Sequence, residues 1–338
     1  MFRKCQLIID TDMDMDVDDV GALALCHSLA DRGEVDLLGV ICDSASSSAP
    51  ACVHVINDSR GRPDIPVGSI YSADLCKRLG YKKHREWIPY RGNDFYNQEI
   101  ARSNSLAAKR PVWNATKLYR KLLGEAKDGS VVICCIGFLT AIADLLNSGP
   151  DEWSDLDGRE LIECKVKKLV TMAETYPIAG YEVCNWLIDL PSATEVLKRF
   201  PATIVVTPLG VNVWTGKTLS DCWPEGDPVR RAYEIYKRGP NLPQQSWDLI
   251  AVYYCVRGCE DFFAEKSGMH CYLNQISGMY QWAEMNSQHF SVHVLLTQEV
   301  PDEIVEDRLE KLLAPQFPEG CSIDRGIDVS VVKEVCYG

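Results

Sequence analysis

The chain has 338 residues, 46% hydrophobic and 25% charged, enough to build one large globular α/β domain or two small ones. A formal net charge of −13 argues against nucleic acid or an anionic membrane as the main partner. Fifteen cysteines without a CxxC pair, mostly inside apolar runs (Cys26, Cys42, Cys134, Cys135, Cys184), read as buried reduced thiols rather than a zinc site or disulfide framework.

That usage favours a reducing, cytoplasmic compartment. The opening Met1-Phe2-Arg3-Lys4 leads into an apolar run that stops at Asp10, too short for a secretory leader, and no apolar stretch reaches bilayer length.

In chain order, the strand Gln6–Ile9 precedes a helix over Asp18–Asp31, and the strand Val35–Cys42 precedes a helix over Pro50–Ser59. Residues 72–112 follow, a polar, basic and aromatic insertion (Lys77, Arg78, Lys82, Lys83, His84, Arg85, Trp87) that reads as a surface loop or a lid over a site. Beyond it come the strand Ser130–Ile136, the helix Leu139–Leu146, the strand Val166–Met172, the helix Ser192–Phe200 and the strand Thr203–Val206. Helices over 227–238 and 245–257, the strand Phe290–Leu296 and a helix over Asp302–Leu313 complete the pattern. This alternation predicts a single α/β domain over 1–338, with a mostly parallel central sheet covered by helices on both faces.

The most informative segment is Asp10-Thr11-Asp12-Met13-Asp14-Met15-Asp16-Val17-Asp18-Asp19, six aspartates in ten residues. So many carboxylates repel one another unless they face water or a cation. They lie between a strand and a helix, and ligands of open parallel sheets bind outside the carboxyl ends of the strands. Asp18 and Asp19 also open the helix, where its dipole favours negative charge. The segment therefore reads as a site for a hard, oxygen-ligated cation.

The sequence resembles the nucleoside hydrolases of the inosine–uridine-preferring superfamily. The likeness begins with Ile8-Ile9-Asp10-Thr11-Asp12 and Asp18-Asp19-Val20-Gly21-Ala22-Leu23, and continues through Gly61-Arg62-Pro63-Asp64-Ile65-Pro66-Val67-Gly68. It returns in Gly137-Phe138-Leu139-Thr140, Asn185-Trp186-Leu187-Ile188-Asp189 and Ser246-Trp247-Asp248, so it spans most of residues 5–258. The resemblance implies a Ca²⁺-dependent nucleosidase of purine or pyrimidine ribonucleosides. Such an enzyme releases ribose and free base in nucleoside salvage, usually as a homodimer or homotetramer. It implies Asp12 as calcium ligand and general base, Asp19 and Asp248 as further ligands, and the backbone carbonyl of Ile136 as another. It implies Asp18, Asn185 and Asp248 as ribose contacts, with Glu182 beside them and Asp10 in support.

Several positions depart from the family pattern. The aspartate loop is two residues longer than the shortest family form, which puts Asp14 where glycine is usual; its side chain is expected to point outward. Ser44, Ala141 and Ala173 stand where the family has ribose-contacting or glycine residues, and Glu182 lies one residue further from Asn185 than usual. Trp247 stands where some members carry a histidine acid. Indole only donates hydrogen bonds, so Trp247 either stacks on the base or packs in the core. His84 is the spare candidate for the leaving group, whereas His27, His54, His270, His289 and His293 read as structural. These departures leave open a modified or non-nucleoside N-riboside as substrate, or an inactive calcium- or riboside-binding homologue. A haloacid-dehalogenase-type phosphatase shares the DxD after a first strand, but not an acidic pair at the start of the first helix.

Overall fold

A computed structural model describes residues 4–44, 46–71, 96–173, 179–182, 184–284 and 291–313. The amino-terminal half comprises β1 (Cys5–Thr11), α1 (Asp18–Asp31), β2 (Val35–Cys42), α2 (Ala49–Ser59), β3 (Val67–Ser69), α3 (Tyr96–Ser103), β4 (Val112–Asn114), α4 (Ala115–Glu125), β5 (Val131–Cys135) and α5 (Thr140–Leu146). Then come α6 (Gly158–Lys165), β6 (Val166–Met172), β7 (Ala179–Tyr181), α7 (Asn185–Ile188), α8 (Leu190–Arg199), β8 (Thr203–Thr207) and β9 (Trp214–Thr215). The remainder is α9 (Leu219–Cys222), α10 (Pro228–Lys237), β10 (Gln244–Gln245), α11 (Trp247–Arg257), β11 (Phe263–Leu273), β12 (Met279–Glu284), β13 (His293–Gln298) and α12 (Asp302–Leu313).

One eleven-stranded sheet runs in the order β4-β3-β2-β1-β5-β6-β8-β13-β11-β12-β7. Pairing is parallel from β4 across to β13 and antiparallel beyond it. The chain moves outward from β1 through β2, β3 and β4, then returns to place β5 on the other side of β1. The crevice above β1 and β5 is thus the point where strand order reverses, the ligand-binding place of such sheets. The run Leu7–Thr11 is buried throughout, as a central parallel strand covered on both faces requires.

Core packing explains why α1 shows almost no polar face. Twelve of its fourteen residues are buried, because it lies between the sheet and the helices α11 and α12. Twelve cysteines of the described residues are free, most of them buried, as their apolar settings predicted. No helix among the described residues is long and apolar enough to cross a membrane.

The structure corrects parts of the sequence reading. The end of the 72–112 insertion is not loop. Residues 96–103 form α3, whose Tyr96, Asn97 and Ile100 are buried, and Val112 opens β4. Residues 72–95, with His84, lie outside the described residues, as does His289. Helix α4 adds an element to the expected alternation, with Leu118, Tyr119, Leu122 and Leu123 recurring at helical spacing and all buried. The hairpin β11–β12 is hidden in the sequence because β11 carries the exposed polar stretch Glu265–Gly268, where the pairing with β13 shifts register.

Candidate active site

Three strand ends converge at the crevice, laced together by their backbones. The Asp43 N–H donates to the Thr11 carbonyl at 3.0 Å, and the Ile136 N–H to the Asp10 carbonyl at 2.8 Å. These bonds fix the departure of the aspartate loop from β1. Gly137 follows β5, and a Cβ there would lie 2.5 Å from Asp12 N and 2.6 Å from Asp43 Oδ1, so only glycine lets the two strands close this tightly.

The carboxylates are buried. Asp10, Asp12, Asp14, Asp18, Asp19, Asp43 and Asp248 each expose 4% or less of their surface. Thr11 Oγ1 donates to Asp19 Oδ1, and the Asp248 N–H donates to Asp18 Oδ2 at 3.2 Å, which joins the start of α11 to the start of α1. Asp12 Oδ2, Asp18 Oδ1 and Asp19 Oδ2 meet no hydrogen-bond donor among the described residues. Burial and then neighbouring carboxylates push Asp12, Asp18, Asp19, Asp43 and Asp248 well above the usual carboxylate range: Asp19, Asp16 and Asp14 act on Asp12, and Asp18, Asp19 and Asp16 act on Asp248. Buried, mutually repelling oxygens without donors form a donor set that fits a hard cation.

Beneath Asp12 lies a supporting layer. Asp10 accepts a hydrogen bond from Tyr119 Oη at 2.5 Å, and Asp10, Asp43 and Cys135 bring ligand atoms within 4.8 Å of one another. Burial pushes the Asp10 carboxyl up to about 7 against the hydrogen bonds from Asp43 and Tyr119, which act downward.

The sequence-predicted residues come together unevenly. Asp12, Asp18, Asp19 and Asp248 share the cleft. Asn185 opens α7, and its amide donates to the carbonyls of Ile136 and Met172, both at 3.1 Å, so it holds the Ile136 carbonyl in place. Glu182 is buried, and its Oε1 accepts from the Cys184 N–H at 3.0 Å. Trp247 is half-buried at the first position of α11, with its backbone against Gly210, and belongs to none of the core clusters. Gly210 adopts φ 123°, and a side chain there would strike Trp247 Cα at 2.5 Å, so the approach depends on glycine.

Three expectations change here. Asp14 does not point outward: it is 2% exposed and accepts from Asn97 Nδ2 at 3.1 Å. Cys184, read from sequence as a core thiol, is only half-buried, and burial followed by the charges of Asp12, Asp16, Glu182 and Asp248 raises its pKa. Asp16, given no role from sequence, lies with Asp18 and Asp19. Its signal was the two-residue lengthening of the loop, which had to deliver some side chain into the crevice. His27, His54 and His293 are structural as expected, hydrogen-bonded to Asn57, to the Pro111 carbonyl and to the Leu197 carbonyl respectively.

No protein-family model matches the chain, and a comparison with curated proteins found no match. Solved structures do match. The inosine–uridine-preferring nucleoside hydrolase of Bacillus anthracis is 16% identical with a TM-score of 0.61, covering 93% of this chain and 100% of that one. An inosine–guanosine nucleoside hydrolase is 16% identical with a TM-score of 0.64, covering 93% and 99%. The type III effector protein XopQ, complexed with adenosine diphosphate ribose, is 13% identical with a TM-score of 0.63, covering 92% of each chain. The chain therefore has the nucleoside hydrolase fold, a mostly parallel sheet flanked by helices.

Proposed function

We propose that this protein is a calcium-dependent N-riboside hydrolase, cleaving the glycosidic bond of a ribonucleoside to ribose and free base. The observation that carries this reading is the buried cluster of Asp12, Asp18, Asp19 and Asp248 at the strand-order reversal, with donor-free oxygens on Asp12, Asp18 and Asp19 among the described residues. Asp12, Asp19, Asp248 and the Ile136 carbonyl would hold the ion. When bound, Ca²⁺ orients and acidifies a water and offsets the mutual repulsion of the carboxylates.

Asp12 takes the proton of the attacking water at a carboxylate oxygen. Glycosidic cleavage proceeds through an oxocarbenium-like transition state, and the surrounding carboxylates stabilise the positive charge growing on the sugar. Asp18 and Asp248 hold the ribose hydroxyls. Asn185 and Glu182 face the remainder of the sugar, with Trp247 at the mouth offering an indole face to a base. His84, outside the described residues, is the spare candidate for a leaving-group contact, and Asp10 supports Asp12. On the same reading the protein acts in the cytoplasm as a homodimer or homotetramer.

A second reading, a modified or non-nucleoside N-riboside as substrate, is favoured by Ser44 and Ala141. They stand where the family pattern has asparagine, and both are buried, Ala141 in the core. The deciding experiment measures base and ribose release from purine, pyrimidine and modified ribonucleosides, with calcium and with chelator, for the native protein and Asp12→Ala. Calcium-dependent release, lowered roughly 10²–10⁴-fold in the variant, is expected. Calcium binding without release from any riboside would refute turnover and leave the inactive homologue.

A further inference from the structure

The aspartate loop carries two residues more than the first strand and first helix of such a site need, and the structure gives that extra length a use. Asp16, Asp18 and Asp19 each offer a carboxylate oxygen, and these atoms lie within 4.8 Å of one another. That spread matches one coordination shell, since oxygens on opposite sides of a Ca²⁺ ion at about 2.4 Å are separated by about 4.8 Å. Asp18 and Asp19 are each 1% exposed, and each has an oxygen that no donor among the described residues reaches. Asp16 and Asp18 are also within hydrogen-bonding range of each other, a contact between two acids that needs a proton or a cation between them.

The loop is held in this shape from outside. Tyr96 Oη donates to the Asp16 carbonyl at 2.6 Å. Asn97 Nδ2 donates to the Met13 carbonyl, Asp14 Oδ1 and Ser46 Oγ, each at 3.1 Å. Both residues open α3 and are nearly fully buried, so the end of the insertion braces the acidic loop.

We infer that Asp16 is an additional cation ligand, supplied by the lengthened loop and presented by Tyr96 and Asn97, which act as positioning residues. The inference rests on the proposed calcium site but assigns a ligand that the site does not otherwise have. An extra carboxylate raises both the ligand number and the negative charge. That suits Ca²⁺, with its six to eight oxygens, better than Mg²⁺, which demands a tight octahedron.

The test is titration calorimetry with Ca²⁺ and Mg²⁺ on the full chain, paired with thermal unfolding in chelator and in calcium. Asp16→Asn is expected to weaken Ca²⁺ binding at least tenfold and to lower the Ca²⁺ to Mg²⁺ preference. In chelator the same variant should melt above the native protein, because one repelling charge is gone; in calcium it should melt below it. Tyr96→Phe should weaken Ca²⁺ binding less than Asp16→Asn does. Asp16→Glu should restore part of the affinity. Native Ca²⁺ affinity in Asp16→Asn, with binding lost in Asp19→Asn, would overturn the inference while leaving the calcium site intact. Failure of the native protein to bind Ca²⁺ would instead overturn the proposed function itself.

Discussion

Replacing Gly137 by alanine adds a single methyl group at the tightest point of the site. That Cβ would sit 2.5 Å from Asp12 N, 2.9 Å from Asp12 Cβ and 2.6 Å from Asp43 Oδ1. Against ordinary contact at 3.4 Å, the shortfall from the Asp12 backbone is about 0.9 Å, and a close-packed interior offers little room to absorb it. Two of the three atoms belong to Asp12, so relief must come from moving β5 away from the aspartate loop or moving the loop itself. Overpacking of this kind costs about 1–3 kcal/mol, roughly 1–4 °C in Tm for a chain of this size. A displacement of about 1 Å at Asp12, the proposed base, is expected to cost roughly 10²-fold in rate. Gly149→Ala is the control, because a Cβ there meets nothing within 4 Å. Differential scanning fluorimetry, calcium titration and kcat/KM on both variants give the comparison. Gly137→Ala with native Tm, native calcium affinity and native turnover would refute the claim that this glycine sets the position of Asp12.

Two further predictions address charge. In the metal-free protein, the folded-state pKa of Asp10 is raised to about 7, and those of Asp12, Asp18, Asp19, Asp43 and Asp248 are raised well above the usual carboxylate range. A raised acid contributes no penalty below its unfolded pKa of about 4 and destabilises progressively as pH climbs through the folded value. Thermal unfolding in chelator should therefore show Tm falling from about pH 4 to pH 7 and beyond, while saturating calcium flattens or reverses the slope; a pH-independent Tm in chelator would contradict the burial of these groups. Arg120 is 2% exposed, ion-paired with Asp151 and hydrogen-bonded to Ser148 Oγ and to the carbonyls of Ser154 and Leu156. Arg120→Ala leaves Asp151 without its cation and should cost about 3–5 kcal/mol in chemical denaturation, with calcium affinity unchanged.

Local chemistry made much of this protein legible in its sequence. The central strands were readable because two-sided burial demands continuous apolar runs, as in Leu7–Ile9 and Val131–Cys135. Helix α1 showed in its acidic start and apolar body, and its bounds matched. The acidic segment marked a candidate cation site because charge repulsion is a property of composition and spacing. Even so, Asp14 and Asp16 could not be assigned from the one-dimensional pattern. Their directions depend on Asn97 and Tyr96, which lie more than 75 residues further along the chain and meet the loop only once α3 has packed.

The same division holds across the site. Sequence by itself determined the alternation of strands and helices, the reduced cysteines and the cluster of acids after β1. Only the tertiary structure decided that Asp248 closes onto Asp18, that Asn185 seizes the Ile136 carbonyl, that Asp43 turns down against Asp10 and that Cys184 is half-buried. Propensity and hydrophobic period act over a few residues, whereas these contacts join segments brought together by strand order. The order β2-β1-β5 is what gathers three distant loops over one crevice.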